Sequence, residues 1–285
     1  MTFPPTLVFF WDYDTQWGGD RSRAAGGAKA WGHAEFENTE RLLELHAEYG
    51  VPACFAVVGA AALPGERPYH DEAQIRRMHA AGHEVASHSF RHEWLPGLGP
   101  RALREVLRQS KDALEQCIGA EVVSFVPPYN QPFDHPPAWS FSLSERREAG
   151  AERTDLGRLC TALRETGHRF CRVAYRPVYV RLAEYVLRRT LNRPGVLETI
   201  SGITCVRLNL PVGFGPGSRA PVERHLQGGG IWLLHAHPHS ARPEGTSQSL
   251  RPFEETLQVV ARWRRDGKVR CALPRDLVRK AVGSA

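Results

Sequence analysis

Apolar runs with strand composition alternate with stretches whose apolar residues recur at helical spacing, and the alternation continues along most of the 285-residue chain. That is the signature of an α/β fold. Residues 6–11 predict a buried strand, and Leu42, Leu45, His46 and Tyr49 place one face of the next helix against it, with Gly50 as its stop. Residues 53–58 read as the second strand. A helix through Ile75 and Met78 stops at Gly82, a short strand follows over 83–86, and a long helix runs from about Pro100 to Cys117. Residues 122–126 form the fourth strand.

Five prolines between positions 127 and 137 exclude a helix or central strand there, so this stretch is an irregular loop of a length that is usually functional. Beyond it the pattern predicts a helix over 156–166, a strand over 170–174 and a helix over 181–192. The clearest late strand is 231–235. The last long helix spans 253–265, and a strand over 269–273 precedes a short basic helix. With no repeat and no long linker, the count suits one barrel-like domain over residues 1–285.

Composition narrows the class. With 42% hydrophobic residues, a chain of this length can bury roughly three quarters of the surface its unfolded form exposes. No apolar run approaches the roughly 20 residues of a membrane helix, so no transmembrane segment is expected. The first apolar run has no Lys or Arg before it and no small-residue cleavage site after it, so a cytoplasmic protein is expected. Six cysteines include no CxxC pair, which argues for reduced, buried thiols over a zinc ribbon or a disulfide framework. The formal charge of +6 favours anionic partners, but no basic block or recognition motif supports nucleic acid.

The candidate chemistry lies where strands end. Asp12 and Asp14 follow the first strand two residues apart, so both point to one side; a loop-capping turn would use the same pair. His88 and His92 form an HxxxH pair directly after the third strand, a spacing at which two imidazoles can converge on a metal. In a barrel the carboxyl ends of strands meet on one face, so Asp14 could join them. His235, His237 and His239 follow the late strand, but Pro238 argues that the strand does not continue through them. His235, at the strand end, is the candidate general acid; His237 and His239 read as surface residues or as support behind the site.

In order, the chain carries "FFWDYD", "YGVPACFAVVG", "AAGHEVASHSFRH", "FVPPYN" and "IWLLHAH". Over residues 6–280 it resembles the polysaccharide deacetylases of carbohydrate esterase family 4, the NodB-homology domain. The resemblance implies a distorted (β/α)7 barrel that uses one divalent metal ion, most often Zn2+, to hydrolyse a linear amide and release an N-acetyl group from an amino sugar. It makes Asp14, His88 and His92 the metal ligands, Asp12 the catalytic base and His235 the acid. An oxyanion donor is expected near Pro128 and Tyr129.

Two features depart from the family pattern. Tyr13 separates aspartates that are usually adjacent, and Val126 stands where the arginine of "RxPY" is usual. The D-x-D spacing looks like the branch with allantoinase-like proteins and lipid-linked aminoarabinose deformylases, so N-formyl or cyclic-amide hydrolysis is the alternative chemistry. An inactive carbohydrate-binding barrel is a third reading. Without the motif arginine, Arg91, Arg21 or Arg23 is expected to balance the charge of Asp12. Gly18 to Arg23 reads as a mobile loop in which Arg21 or Arg23 could grip the phosphate of a nucleotide- or lipid-linked sugar; a solvated surface loop is the plainer reading. His237 is a further candidate substrate contact.

Overall fold

All eight residues of strand β1 (Thr6–Tyr13) are buried, as expected of a parallel strand covered on both faces. Their alternation sorts them. Leu7, Phe9, Trp11 and Tyr13 pack in one cluster with outer helices, whereas Val8 and Phe10 join Cys54, Ala56, Ala86, Val126 and Leu233 in a second, interior cluster. Even-numbered residues of β1 therefore face the inside of the fold, and Asp12 is the next of them.

The computed structural model describes residues 4–21, 30–130, 155–173, 186–187, 194–209, 222–223, 226, 229–242 and 249–283. Its strands continue with β2 (Cys54–Val57), β3 (Glu84–Ser87), β4 (Ser124–Phe125), β5 (Phe170–Val173), β6 (Glu198–Ile200), β7 (Ile203–Arg207), β8 (Ile231–Ala236) and β9 (Arg270–Cys271). Seven of them run parallel in the order β7-β5-β4-β3-β2-β1-β8, with β6 antiparallel at one edge and β9 beside the start of β1. The helices are α1 (Thr15–Arg21), α2 (Gly32–Tyr49), α3 (Glu72–Ala80), α4 (Pro100–Ile118), α5 (Leu156–Glu165), α6 (Arg251–Arg265) and α7 (Pro274–Gly283). At Gly50 the chain turns left-handed (φ 62°) and ends α2, a conformation that glycine adopts without strain.

The sheet curls until its two edges meet. Asn209, just past β7, donates from Nδ2 to the Ile231 carbonyl (2.9 Å) and accepts at Oδ1 from the Leu233 N–H (2.8 Å), so a side chain bridges β7 to β8. The result is the distorted (β/α)7 barrel expected from the sequence. All six cysteines are free and all but Cys271 are buried, and no described helix is long and apolar enough to cross a membrane.

Three expectations need correction. Gly18 and Gly19 belong to α1, not to a loop. A Cβ on Gly18 would sit 2.5 Å from Asp14 Cβ, so only glycine lets this helix fold back so closely on the aspartate. Between 176 and 230, which the pattern left without an assignment beyond the helix over 181–192, β6 and β7 form a hairpin through Ser201 (φ 48°) and Gly202 (φ 83°). The fourth strand shrinks to two residues because Pro127 and Pro128 follow at once. The helix expected over 181–192 falls outside the described residues except at 186–187, and so does the proline loop beyond Asn130.

Candidate active site

Interior parity carries several polar side chains to the carboxyl ends of the strands. Asp12 is the last interior residue of β1, Arg172 lies two residues beyond the interior Phe170 on β5, and His235 two beyond the interior Leu233 on β8. Asp14 lies one step past β1, and His88 one step past β3.

The loop after β3 is bent so that His88 and His92 face each other. Ser89 (φ 61°) and His92 (φ 59°) are both left-handed, a conformation that side-chain-bearing residues keep only where their surroundings enforce it. Here Glu93 supplies the restraint: both its carboxylate oxygens accept from the Arg91 N–H (2.9 Å), while its own N–H donates to Ser89 Oγ (3.1 Å). The N–H of Gly59 and of Ala60 pin the same loop through the carbonyls of Ser89 and Phe90. The two rings end 5.2 Å apart, in a turn and not on a helix face.

Asp14 Oδ1 lies 3.2 Å from His88 Nε2 and 3.7 Å from His92 Nε2. His88 Nδ1 donates to the Val126 carbonyl (2.7 Å), so in the neutral ring the Nε2 lone pair faces the carboxylate. Asp14 Oδ1 is buried and has no hydrogen-bond donor among the described residues, an arrangement that asks for a positive charge between these atoms. Asp14, His88 and His92 can bring one ligand atom each to a single ion, and a carboxylate with two imidazoles is a donor set suited to a divalent transition metal.

Asp12 differs. Arg172 donates to both its oxygens (2.8 and 2.7 Å), and His235 Nε2 lies 2.9 Å from Oδ2. Asp12, His235 and His237 also lie close enough to hold an ion. That group is the poorer candidate, because a guanidinium already neutralises the carboxylate and the His235 nitrogen serves as its donor. Among the described residues Oδ1 of Asp12 is bonded to Arg172, which leaves a lone pair there for a proton.

The electrostatics follow from these partners. Burial would raise the pKa of Asp12, but the charge of Arg172 and the bond to His235 hold it well below the usual carboxylate range. Burial lowers His92 to about 3 and His235 to about 4, so both rings are neutral near neutral pH. His88 is raised: burial opposes its charge, but the nearness of the Asp14 and Asp12 carboxylates outweighs it. A third carboxylate, Glu35 on α2, is fully buried nearby, and its pKa is pushed well up by burial and by the charge of Asp14.

The structure thus gathers Asp12, Asp14, His88, His92 and His235 into one place. His237 joins them, its Nε2 3.9 Å from both Asp12 Oδ2 and Asp14 Oδ2, with a side chain 31% exposed against 6% for His235. His239 is buried beside Glu35 and stacked on Trp31 (4.0 Å), so it is no surface residue. Tyr129 packs on His92 (4.5 Å), follows Pro128 in a left-handed turn (φ 59°) and donates to the carbonyls of Arg21 and His92 (both 3.3 Å). Arg21, half-buried at the end of α1, therefore borders the site; Arg23 lies outside the described residues.

The expected charge partner of Asp12 was wrong. Arg91 lies over the rings of Trp17 and Phe90, and Arg172, 160 residues from Asp12, pairs with that carboxylate. Val126, in the place of the motif arginine, is an apolar interior residue. The missed signal was an arginine at an interior position of an apolar strand, where a charge has to be paired.

A parallel barrel with an aspartate–imidazole cluster at its carboxyl end, beside an arginine-braced aspartate, defines a candidate metal centre. The polysaccharide deacetylase family profile matches residues 32–137. A chitooligosaccharide deacetylase of Sinorhizobium fredii (strain NBRC 101917 / NGR234) is 40% identical over 92 residues, which span 32% of this chain and 40% of that protein. Among solved structures, a Mycobacterium smegmatis protein assigned to the polysaccharide deacetylases superposes with a TM-score of 0.66 at 19% identity, covering 100% of this chain and 92% of that one. The Puue allantoinase gives 0.61 at 15%, covering 96% and 89%. Residues 32–137 thus carry the similarity to the polysaccharide deacetylase family, and the chain as a whole shares the fold of the solved structures.

Proposed function

We propose that this chain is a metal-dependent deacylase of the D-x-D branch that removes an N-acetyl group from an amino sugar, with Zn2+ held by Asp14, His88 and His92. One observation carries the reading: of two neighbouring buried aspartates, Asp12 is neutralised by Arg172, while Asp14 faces only imidazoles and has an oxygen without a donor. A divalent ion there supplies Lewis-acid chemistry, polarising the amide carbonyl and acidifying the attacking water. Asp12 takes the proton of that water at Oδ1, kept ionised and aimed by Arg172. His235, bonded through Nε2 to Asp12, would pass that proton on to the departing amine, and His237 borders the more open side where the sugar enters. The substrate class rests on the family and on the chitooligosaccharide deacetylase among its relatives.

A hydrolase that opens a cyclic amide is the second reading, favoured by the similarity in fold to an allantoinase. The test is a panel of N-acetyl and N-formyl amino sugars, free and nucleotide- or lipid-linked, together with cyclic ureides, run with Zn2+ and after chelation. Zn2+-dependent acetate release is expected. Formate release or ring opening in its place would move the activity to the alternative chemistry, and no turnover of any substrate would leave a carbohydrate-binding barrel.

A further inference from the structure

Thr15 follows the metal aspartate with φ 53°, in the left-handed region where a β-branched residue is strained. Its N–H is directed to Glu35 Oε2 at 2.5 Å. Glu35 is 0% exposed, in the first turn of α2. Its other oxygen lies 3.6 Å from His239 Nδ1, and His239 packs against His237 (5.1 Å between rings). One turn further along α2, Asn38 Nδ2 donates to the carbonyls of Pro238 (2.8 Å) and Ala241 (3.3 Å). One helix therefore grips both the turn after β1, which carries Asp14, and the segment after β8, which carries His237.

We infer that Glu35 is a positioning residue for the metal ligand Asp14, acting by its reach to the Thr15 N–H and not by its charge. Without that acceptor the Thr15 amide is buried and unsatisfied, the strained turn relaxes, and Asp14 leaves the position that faces His88 and His92. The inference rests on the metal reading proposed above. A carboxamide of the same length keeps the acceptor, whereas a carboxylate one methylene shorter keeps the charge and loses the contact.

The experiment is titration of Zn2+ into chelator-stripped wild type, Glu35→Gln, Glu35→Asp and Glu35→Ala, with thermal melts of each metal-free protein as a control on folding. Glu35→Gln is expected to bind within about 3-fold of wild type, and Glu35→Asp and Glu35→Ala about 10- to 100-fold more weakly, the range for groups that orient metal ligands. Should Glu35→Ala fail to fold, the Gln and Asp variants decide. Wild-type affinity in Glu35→Asp, or an affinity in Glu35→Gln as poor as in Glu35→Asp, would overturn the inference. A wild type that takes up neither Zn2+ nor Co2+ would overturn the metal reading and this inference with it, whereas a binding wild type with unaffected variants removes this inference alone.

Discussion

Asp12 and Asp14 are two residues apart, equally buried and on the same side of β1, yet their surroundings are opposite in kind. The Asp12 side of the pocket, built with β5 and β8, is complete within the protein: a two-pronged guanidinium and an imidazole cover the carboxylate. The Asp14 side, built with the loop after β3, consists of acceptors and lone pairs facing one another. Burying a charge costs little when it is paired and a great deal when it is not, so the first arrangement is complete as it stands and the second calls for a cation.

The comparison can be broken most severely at Asp14. Asp14→Ala or His88→Ala should lose bound metal and reduce hydrolysis to background, measured by elemental content and product release. Full metal content and activity in both would remove the ligand assignment. Asp12→Asn should keep the metal and lose roughly 100-fold or more in turnover, because an amide preserves shape but accepts no proton. Turnover near wild type would pass the base role to another carboxylate, with Asp134, outside the described residues, next to be tested.

Arg172→Met tests the brace. It leaves Asp12 buried without its cation, and breaking such a pair costs about 3–5 kcal/mol, read as a lowered denaturation midpoint together with a loss in kcat. Stability and kcat both unchanged would show that Arg172 is a bystander. The histidines sharpen the same side. His235→Ala should lower kcat with metal content intact, and His237→Ala should act mainly on KM; the reverse pattern would exchange their roles. The smallest effect belongs to Arg21→Ala, expected to raise KM a few-fold for a phosphate-linked sugar and not for the free sugar. Equal KM effects on the two substrates would end the phosphate idea.

The two sides also differed in how legible they were. Asp14 and His88 lie three and two residues past the predicted strand ends, and His92 follows His88 at HxxxH spacing, so local pattern was enough to place them on one face. The paired left-handed turns at Ser89 and His92 that bring the rings together were not visible, since neither residue type favours them. Arg172 was missed because its partner is 160 residues away and "FCRVAY" reads as an ordinary strand; only counting parity from Phe170 places the charge inside the barrel. The β6–β7 hairpin had a readable sign, Ser201-Gly202 between two β-branched runs. Helix α1 had none, because Gly18 and Gly19 oppose a helix, and it forms under the close packing against Asp14.

The division of labour between the two aspartates is tested most directly by metal stoichiometry in Asp14→Asn and Asp12→Asn, each purified, stripped and reloaded with Zn2+ beside wild type. One ion per chain in wild type and in Asp12→Asn, and none in Asp14→Asn, is the expected result. Metal retained by Asp14→Asn and lost from Asp12→Asn would contradict the account.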